Sequence, residues 1–86
     1  MEKSPFTPEY RVVLSLLREI RGSAKVTQLE LAKRVEETQS YISKLERGEV
    51  RLDLIQLRTI CQALGTNLPS FVTLLEERLE KKQRRK

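Results

Sequence analysis

The 86-residue sequence contains no histidine, no tryptophan, only one cysteine and only three glycines. The commonest general base and metal ligand is therefore missing, and the chain has neither a glycine-rich phosphate loop nor a cluster of metal ligands. A single cysteine cannot form an internal disulfide, and Cys61 falls on an apolar stripe, which predicts a small buried thiol. These absences argue against an enzyme and against a bound cofactor or metal.

Long apolar runs are missing as well. No run approaches the roughly 18 residues of a membrane span, and the N-terminus lacks the basic-then-apolar layout of a signal peptide. We therefore expect a soluble, cytoplasmic protein without a membrane partner. A chain of this length makes one domain and buries only about 60 to 65 per cent of its unfolded surface, so its stability should be modest.

The positive charge is concentrated at one end of the chain. The sequence has 17 basic and 12 acidic residues, a formal net charge of +5. Five of the basic residues lie between Lys81 and Lys86, which leaves 12 residues of each sign in the body of the chain. Binding to phosphates would therefore depend on where single basic side chains point, rather than on bulk charge.

The segment from Thr27 to Gly48 has the pattern of two short helices joined by a tight turn. Thr27 and Glu30 form a capping-box signature at the start of the first helix, and Thr38 can cap the second. At about 100° per residue, the second helix has an apolar side and a polar side. The apolar side carries Thr38, Ile42 and Leu45, and the polar side carries Gln39, Ser40, Ser43, Lys44 and Arg47. This layout predicts a helix-turn-helix that reads DNA.

The same segment resembles the phage-repressor-like, or Xre-type, helix-turn-helix domains. Gln28 opens the first motif helix, Leu31-Ala32 follows, and the run YISKLERG that ends at Gly48 matches the family's second motif helix. The resemblance extends from about Leu14 to about Leu75. It implies an all-α, compact five-helix bundle like that of lambda repressor, with the helix-turn-helix at helices 2 and 3.

Apolar spacing predicts the other three helices. The first should run from Pro8 to about Arg21, the fourth from a cap at Asp53 to Gly65, and the fifth from about Asn67 onwards. Their expected buried residues are Val13, Leu14, Leu17 and Ile20 in the first helix, Leu54, Leu57, Ile60, Cys61 and Leu64 in the fourth, and Leu68, Phe71, Val72 and Leu75 in the fifth.

The chain divides into three predicted parts. Residues 1–7 should be a flexible arm, residues 8–80 the DNA-binding domain and residues 81–86 a basic tail. The tail either extends the fifth helix or is disordered, and the pattern leaves both open. No stretch alternates with period two, so no sheet is expected.

The resemblance places the third helix in the major groove, where it reads base edges. Gln39 and Ser40 resemble base-contacting positions at the N-terminal end of that helix, and Lys44 lies one turn further along. A glutamine amide suits adenine N6 and N7, serine is permissive, and lysine suits guanine O6 and N7. We predict that these three side chains read bases.

A second group is predicted to contact phosphates. Gln28 matches a family residue that bonds a phosphate beside the free N–H groups of a helix N-terminus. Tyr41 lies at the border of the buried face, with its hydroxyl expected to point toward a phosphate. Ser43, Arg47 and Arg51 are candidates for flanking phosphates, which anchor the domain without reading sequence.

Two features concern the shape of the motif. Arg21 and Glu46 stand where the family forms a partly buried ion pair between helices 1 and 3, and we assign them a structural role. The turn between the motif helices often carries a glycine in this family, whereas this chain has Glu36-Glu37. A left-handed backbone at Glu36 would be mildly strained, because a Cβ disfavours positive φ.

The predicted function is a sequence-specific, double-stranded DNA-binding transcriptional regulator, with repression the expected outcome. One domain reads only a few base pairs, so a homodimer on a two-fold symmetric site is expected. The candidates for the dimer interface on helix 5 are Leu74, Leu75 and Leu79.

The alternative is a protein-interaction module that keeps the fold, such as an antitoxin or an adaptor, because a fold alone does not decide function. The formally neutral body and the acidic Glu36-Glu37 turn favour this alternative. The outward positions of Gln39, Ser40 and Lys44 favour DNA binding.

Overall fold

The computed structural model describes residues 7–84, with side chains described as far as Lys81. Within those residues the chain forms five α-helices and no strand, so the expected all-α bundle is confirmed. The helices are α1 (Pro8–Ser23), α2 (Gln28–Arg34), α3 (Gln39–Glu46), α4 (Leu54–Ala63) and α5 (Leu68–Arg84).

Polar side chains cap the start of every helix. In each case an oxygen of the cap accepts a hydrogen bond from the backbone N–H three residues later, at 2.7–3.0 Å. Each such cap contributes about 1 kcal/mol. The capping box of Thr27 and Glu30 is complete. The caps are Thr7, Thr27, Thr38, Asp53 and Asn67.

Left-handed backbone conformations end the first four helices, and the first of them is Lys25 after α1, with φ of 60°. Gly48 and Gly65 follow α3 and α4 with φ of 81° and 84°, which glycine adopts without strain. Glu36 follows α2 and also lies in the left-handed region, with φ of 61°. The turn thus keeps its shape without glycine, at a cost of about 1 kcal/mol for the Cβ.

The core lies where all five helices meet. Its most buried side chains include Leu16 and Leu17 of α1, Leu31 of α2, Ile42 of α3 and Phe71 of α5. The lone thiol of α4, at Cys61, is also buried as predicted, and burial raises its pKa.

The expected stripe of α1 was partly wrong. Val12 and Leu16 are buried, whereas Val13 and Ile20 are only partly covered. Because α1 packs against both α3 and α5, its covered arc is wider than one stripe and is rotated relative to the pattern. Sequence spacing defines an apolar face but does not say how many neighbours will cover it.

The expected core positions of Val72, which is 41% exposed, and of Leu54 were also wrong. Leu54 is 62% exposed and its neighbour Ile55 is 69% exposed. Leu54 lies on the same side of α4 as Cys61, but it is the first residue of the helix and its side chain stays largely in solvent. The pattern predicted the correct side of α4, but it did not predict how much of that side is buried.

Helix α1 is longer than expected, and α5 follows one of the two courses that the sequence left open for the tail. Helix α1 continues two residues beyond Arg21 to Ser23, and α5 continues past the expected boundary at residue 80 to Arg84. The first four residues of the basic tail therefore extend α5. Of the expected arm, only Thr7 is described, and it caps α1, while residues 1–6 and 85–86 lie outside the described part. None of the helices between residues 7 and 84 combines the length and the apolar character needed to cross a bilayer.

Candidate nucleic-acid interface

Helix α3 has one side packed against the rest of the protein and one side exposed to solvent. Ile42 and Leu45 are almost completely buried, and α2 packs against α3 along this inner side. The three predicted base-reading residues, Gln39, Ser40 and Lys44, are all exposed. The fold therefore presents them together on the outer side of a helix whose inner side cannot move independently.

The C-terminal end of α3 is tied to α1 through Glu46, which is only 4% exposed. The guanidinium of Arg21 donates through Nε to Glu46 Oε2 at 2.6 Å and through Nη2 to Oε1 at 3.0 Å. A third donor of Arg21 reaches the carbonyl of Val26 at 3.0 Å, and Arg18 donates to the carbonyl of Glu46 at 3.2 Å. The structure thus places Arg21 and Glu46 in a two-bond ion pair that joins α1 to α3.

The structure places Gln28 between this ion pair and α3. Its amide nitrogen donates to Glu46 Oε1 at 2.9 Å, and its amide oxygen accepts from Gln39 Nε2 at 3.4 Å. Sequence reasoning assigned Gln28 to a phosphate and did not foresee either contact. Both contacts require the relative placement of α2 and α3, which the linear spacing of the residues does not specify.

Tyr41 ties α3 to α4. Its ring is partly buried against the core, and its hydroxyl accepts a short hydrogen bond from the side-chain amide of Gln56. Because the amide is the donor, the hydroxyl keeps its own hydrogen for another acceptor. A phosphate contact by Tyr41 is compatible with this geometry. Sequence reasoning missed Gln56, whose position in α4 carried no signal of its role.

Arg47 and Ser43 are drawn together beside an acidic residue. Arg47 donates through Nε to Glu49 Oε2 at 2.8 Å and through Nη1 to the hydroxyl of Ser43. The hydrogen bond with Arg47 holds the pKa of Glu49 below its usual value, and the charge of Lys44 contributes to the same shift. The same hydrogen bond raises the pKa of Arg47. Glu49, which the sequence did not single out, competes with any phosphate for Arg47.

Arg51 lies exposed on the loop between α3 and α4. The loop is attached to α1 because the backbone N–H of Leu52 donates to the hydroxyl of Tyr10 at 3.1 Å. Arg51 is thus an exposed cation on a loop that is hydrogen-bonded to α1, close in sequence to the end of α3.

The dimer candidates divide between two flanks of α5. On a helix that turns about 100° per residue, Leu79 lies about 20° from Val72, whereas Leu74 lies about 160° from Val72. Val72 and Leu74 are each 41% exposed, and Leu75 and Leu79 are partly covered. Leu74 lies on the flank next to α1, to which Arg78 is joined by an ion pair with Glu19 at 2.6 Å.

The chain matches the family model described as Helix-turn-helix over residues 17–71. An XRE-family-like protein from Pseudomonas syringae pv. tomato is 40% identical with a TM-score of 0.78, and the match covers 81% of this chain and 85% of that one. A mutant of the restriction-modification controller protein C.Esp1396I is 25% identical with a TM-score of 0.79, covering 85% and 97% of the two chains.

A third solved structure is the clp gene regulator ClgR from C. glutamicum. It is 28% identical with a TM-score of 0.71, and the match covers 80% of this chain and 90% of that one. Among curated proteins, no sequence matches this chain.

Proposed function

Since the chain belongs to the Xre-type helix-turn-helix family, we propose that it is a homodimeric repressor that reads a two-fold symmetric duplex with α3. Membership makes it a DNA-binding transcription regulator rather than an enzyme. Repression is the simplest outcome for a domain of this size, because occupying a site requires only the DNA-binding surface. We propose the cytoplasm as its location, where a bacterial regulator meets its DNA.

The observation that carries this proposal is the outer side of α3. Gln39, Ser40 and Lys44 are exposed there, while the inner side is buried and the far end is held by the Glu46 ion pair. A fixed helix with exposed hydrogen-bonding side chains suits the major groove, whose base edges differ in their donors and acceptors. We assign Gln39 to adenine, Lys44 to guanine and Ser40 to a permissive contact.

The residues around α3 supply the phosphate contacts in this proposal. Arg47 and Arg51 follow α3, Ser43 adjoins Arg47, and the hydroxyl of Tyr41 retains a hydrogen to donate. Gln28 uses one amide hydrogen on Glu46 and keeps the other. These contacts would position the domain without specifying sequence.

The flank of α5 that carries Val72 and Leu79 supports a homodimer. Both residues lie outside the core cluster and about 20° apart on the helix, with the partly buried Leu75 beside them. Such an apolar stripe fits the same stripe of a second copy across a two-fold axis. Leu74 remains a candidate on the opposite flank. A monomeric mass by light scattering at ~100 μM would count against the dimer.

Selection of preferred sites from a randomised duplex pool tests the proposal at fixed salt. The wild type should yield a two-fold symmetric consensus, and Gln39→Ala with Lys44→Ala should lose it. Arg58→Ala is the matched control, because it removes an exposed positive charge from α4, outside the helix-turn-helix. It should leave the consensus unchanged. The absence of any enrichment for the wild type would favour the protein-interaction module instead.

A further inference from the structure

A groove lies between α4 and the turn that joins α2 to α3. Its floor is apolar, because Val35, Ile42 and Ile60 line it. Ile42 and Ile60 belong to the core cluster, and Val35 packs against that cluster. The groove, called the α4 groove below, has a volume of about 270 Å³. An apolar side chain of another molecule would be taken out of water there.

One wall of the α4 groove is an apolar residue that the monomer leaves in solvent. Ile55 lines the groove and is 69% exposed, and Leu54, immediately before it, is 62% exposed. A single exposed apolar side chain is ordinary in a soluble protein, so Ile55 alone would carry no argument. Ile55 is instead flanked by an apolar groove and by a second exposed apolar residue. Contiguous apolar surface with a polar rim is typical of protein contact sites.

The α4 groove is acidic, although the chain as a whole carries a formal net charge of +5. Glu37 and Asp53 line it, and none of the described residues that line it is basic. Arg58, the one basic residue of α4, is not part of the lining. Neither carboxylate takes part in an ion pair within the described part of the chain, and that of Asp53 also caps α4. Both negative charges therefore remain for a cation of another molecule.

These features together decide which kind of molecule fits the groove. Two carboxylates repel phosphates, so the occupant is not the nucleic acid. The volume lies below the roughly 300–1,000 Å³ of small-molecule sites, so a small effector would remain largely exposed. A peptide segment fits, because one aliphatic or aromatic side chain would cover the apolar floor while lysine or arginine on either side would meet Glu37 and Asp53.

We propose that the α4 groove is a docking site for a protein partner, whose contacting segment carries one large apolar side chain flanked by lysine or arginine. The inference goes beyond the proposed function. Gln39, Ser40 and Lys44 do not line the groove, so the partner and the duplex use different sides of α3. Of the predicted phosphate contacts, only Tyr41 also lines the groove.

Selection from a phage-displayed library of random peptides tests the proposal, with the whole protein immobilised. The enriched peptides should share an aliphatic or aromatic residue that has lysine or arginine within a few positions on both sides. One enriched peptide is then synthesised, and its dissociation constant is measured by fluorescence anisotropy for the wild type and for each variant.

The apolar part of the proposal is tested by replacing Ile55. In Ile55→Ser the peptide should bind at least about tenfold more weakly, because its apolar side chain loses a large apolar partner. Since Ile55 is exposed, the variant should fold. Leu29→Ser is the matched control, because Leu29 is an exposed leucine of α2 that does not line the groove. It should bind the peptide as the wild type does.

The charges are tested with the same peptide. Glu37→Gln and Asp53→Asn should each raise its dissociation constant about two- to fivefold, the range of exposed ion pairs, and the effect should shrink as salt is added. Asparagine caps a helix about as well as aspartate does, so α4 should stay folded in Asp53→Asn. Glu76→Gln is the matched control, because it removes an exposed carboxylate from α5, and it should leave the dissociation constant unchanged.

The outcome is separate from that of the proposed function, because Gln39→Ala with Lys44→Ala should bind the peptide as the wild type does. The inference is overturned by a library that yields no enriched peptide, by enriched peptides without basic residues, or by equal losses in Leu29→Ser and Ile55→Ser. Self-association of the protein that Glu37→Gln abolishes, measured by light scattering, would identify the occupant as a second copy and would overturn it as well.

Discussion

The C-terminal end of α3 and the flank of α5 that carries Val72 and Leu79 differ in how much of their surface the monomer covers. Glu46 at the end of α3 is buried and hydrogen-bonded to Arg21 and Gln28 within the same chain. Val72 and Leu79 on α5 are apolar, yet they lie outside the core cluster. The position of α3 is therefore decided inside the monomer, whereas α5 retains apolar surface that the proposed dimer would cover.

The largest expected effect comes from removing the ion pair at the C-terminal end of α3. Glu46→Ala leaves the Arg21 guanidinium without its carboxylate in a partly buried site, and we expect the free energy of unfolding to fall by about 3–5 kcal/mol. Urea unfolding followed by circular dichroism measures the change. Glu49→Ala removes an exposed ion pair and should have little effect. Equal losses in the two variants would show that the burial of Glu46 does not matter.

The second region of the comparison, the flank of α5 that carries Val72 and Leu79, is tested by placing a charge on it. Leu79→Glu should raise the dimer dissociation constant at least about tenfold, because a carboxylate in an apolar interface must be desolvated. Sedimentation equilibrium measures it. Leu74→Glu places the same charge on the flank next to α1 and should leave the dimer intact. The reverse result would move the interface to the Leu74 flank.

A smaller effect is expected where α2 meets α3. Glu36→Gly removes the Cβ from a residue with φ of 61°, and we expect the protein to become more stable by about 0.5–1 kcal/mol. Thermal unfolding of both variants measures the difference. Glu37→Gly is the control, because its φ is not positive, so glycine there only adds freedom to the unfolded chain. A loss of stability in Glu36→Gly would show that the turn carries no strain.

The smallest expected effect concerns Arg47 and Glu49, just after the C-terminal end of α3. Glu49→Gln should release Arg47 from its ion pair and raise DNA affinity a few-fold, with a salt dependence steeper by about one phosphate contact. Binding across a range of salt concentrations measures both quantities. The gain should be the same for every duplex sequence. A change in the preferred sequence would instead place Arg47 on a base.

Much of the fold could be predicted because it depends on contacts within one turn of helix. The caps at Thr27, Thr38 and Asp53 were all expected from neighbouring residues. The errors concerned how much of each apolar face is buried. Leu54 belongs to an apolar pattern, yet its side chain is 62% exposed. Local pattern shows which side of a helix is apolar, and only packing shows how much of it is covered.

The candidate site shows the same division between what local sequence predicts and what packing decides. The exposure of Gln39, Ser40 and Lys44 followed from the periodicity of one helix. The links of Gln28 to Glu46 and of Gln56 to Tyr41 join different helices and could not be predicted. Their residues are 18 and 15 positions apart, and no sequence spacing specifies such pairs.

The sequence by itself determined the helices, their caps and the polar side of α3, because these depend on backbone geometry and on residues within a few positions of each other. The tertiary structure alone decided that Glu46 is buried, that it holds Gln28, and that Gln28 lies beside Gln39. A hydrogen bond forms only when the donor and acceptor atoms lie close together, and packing of the helices brings those atoms together.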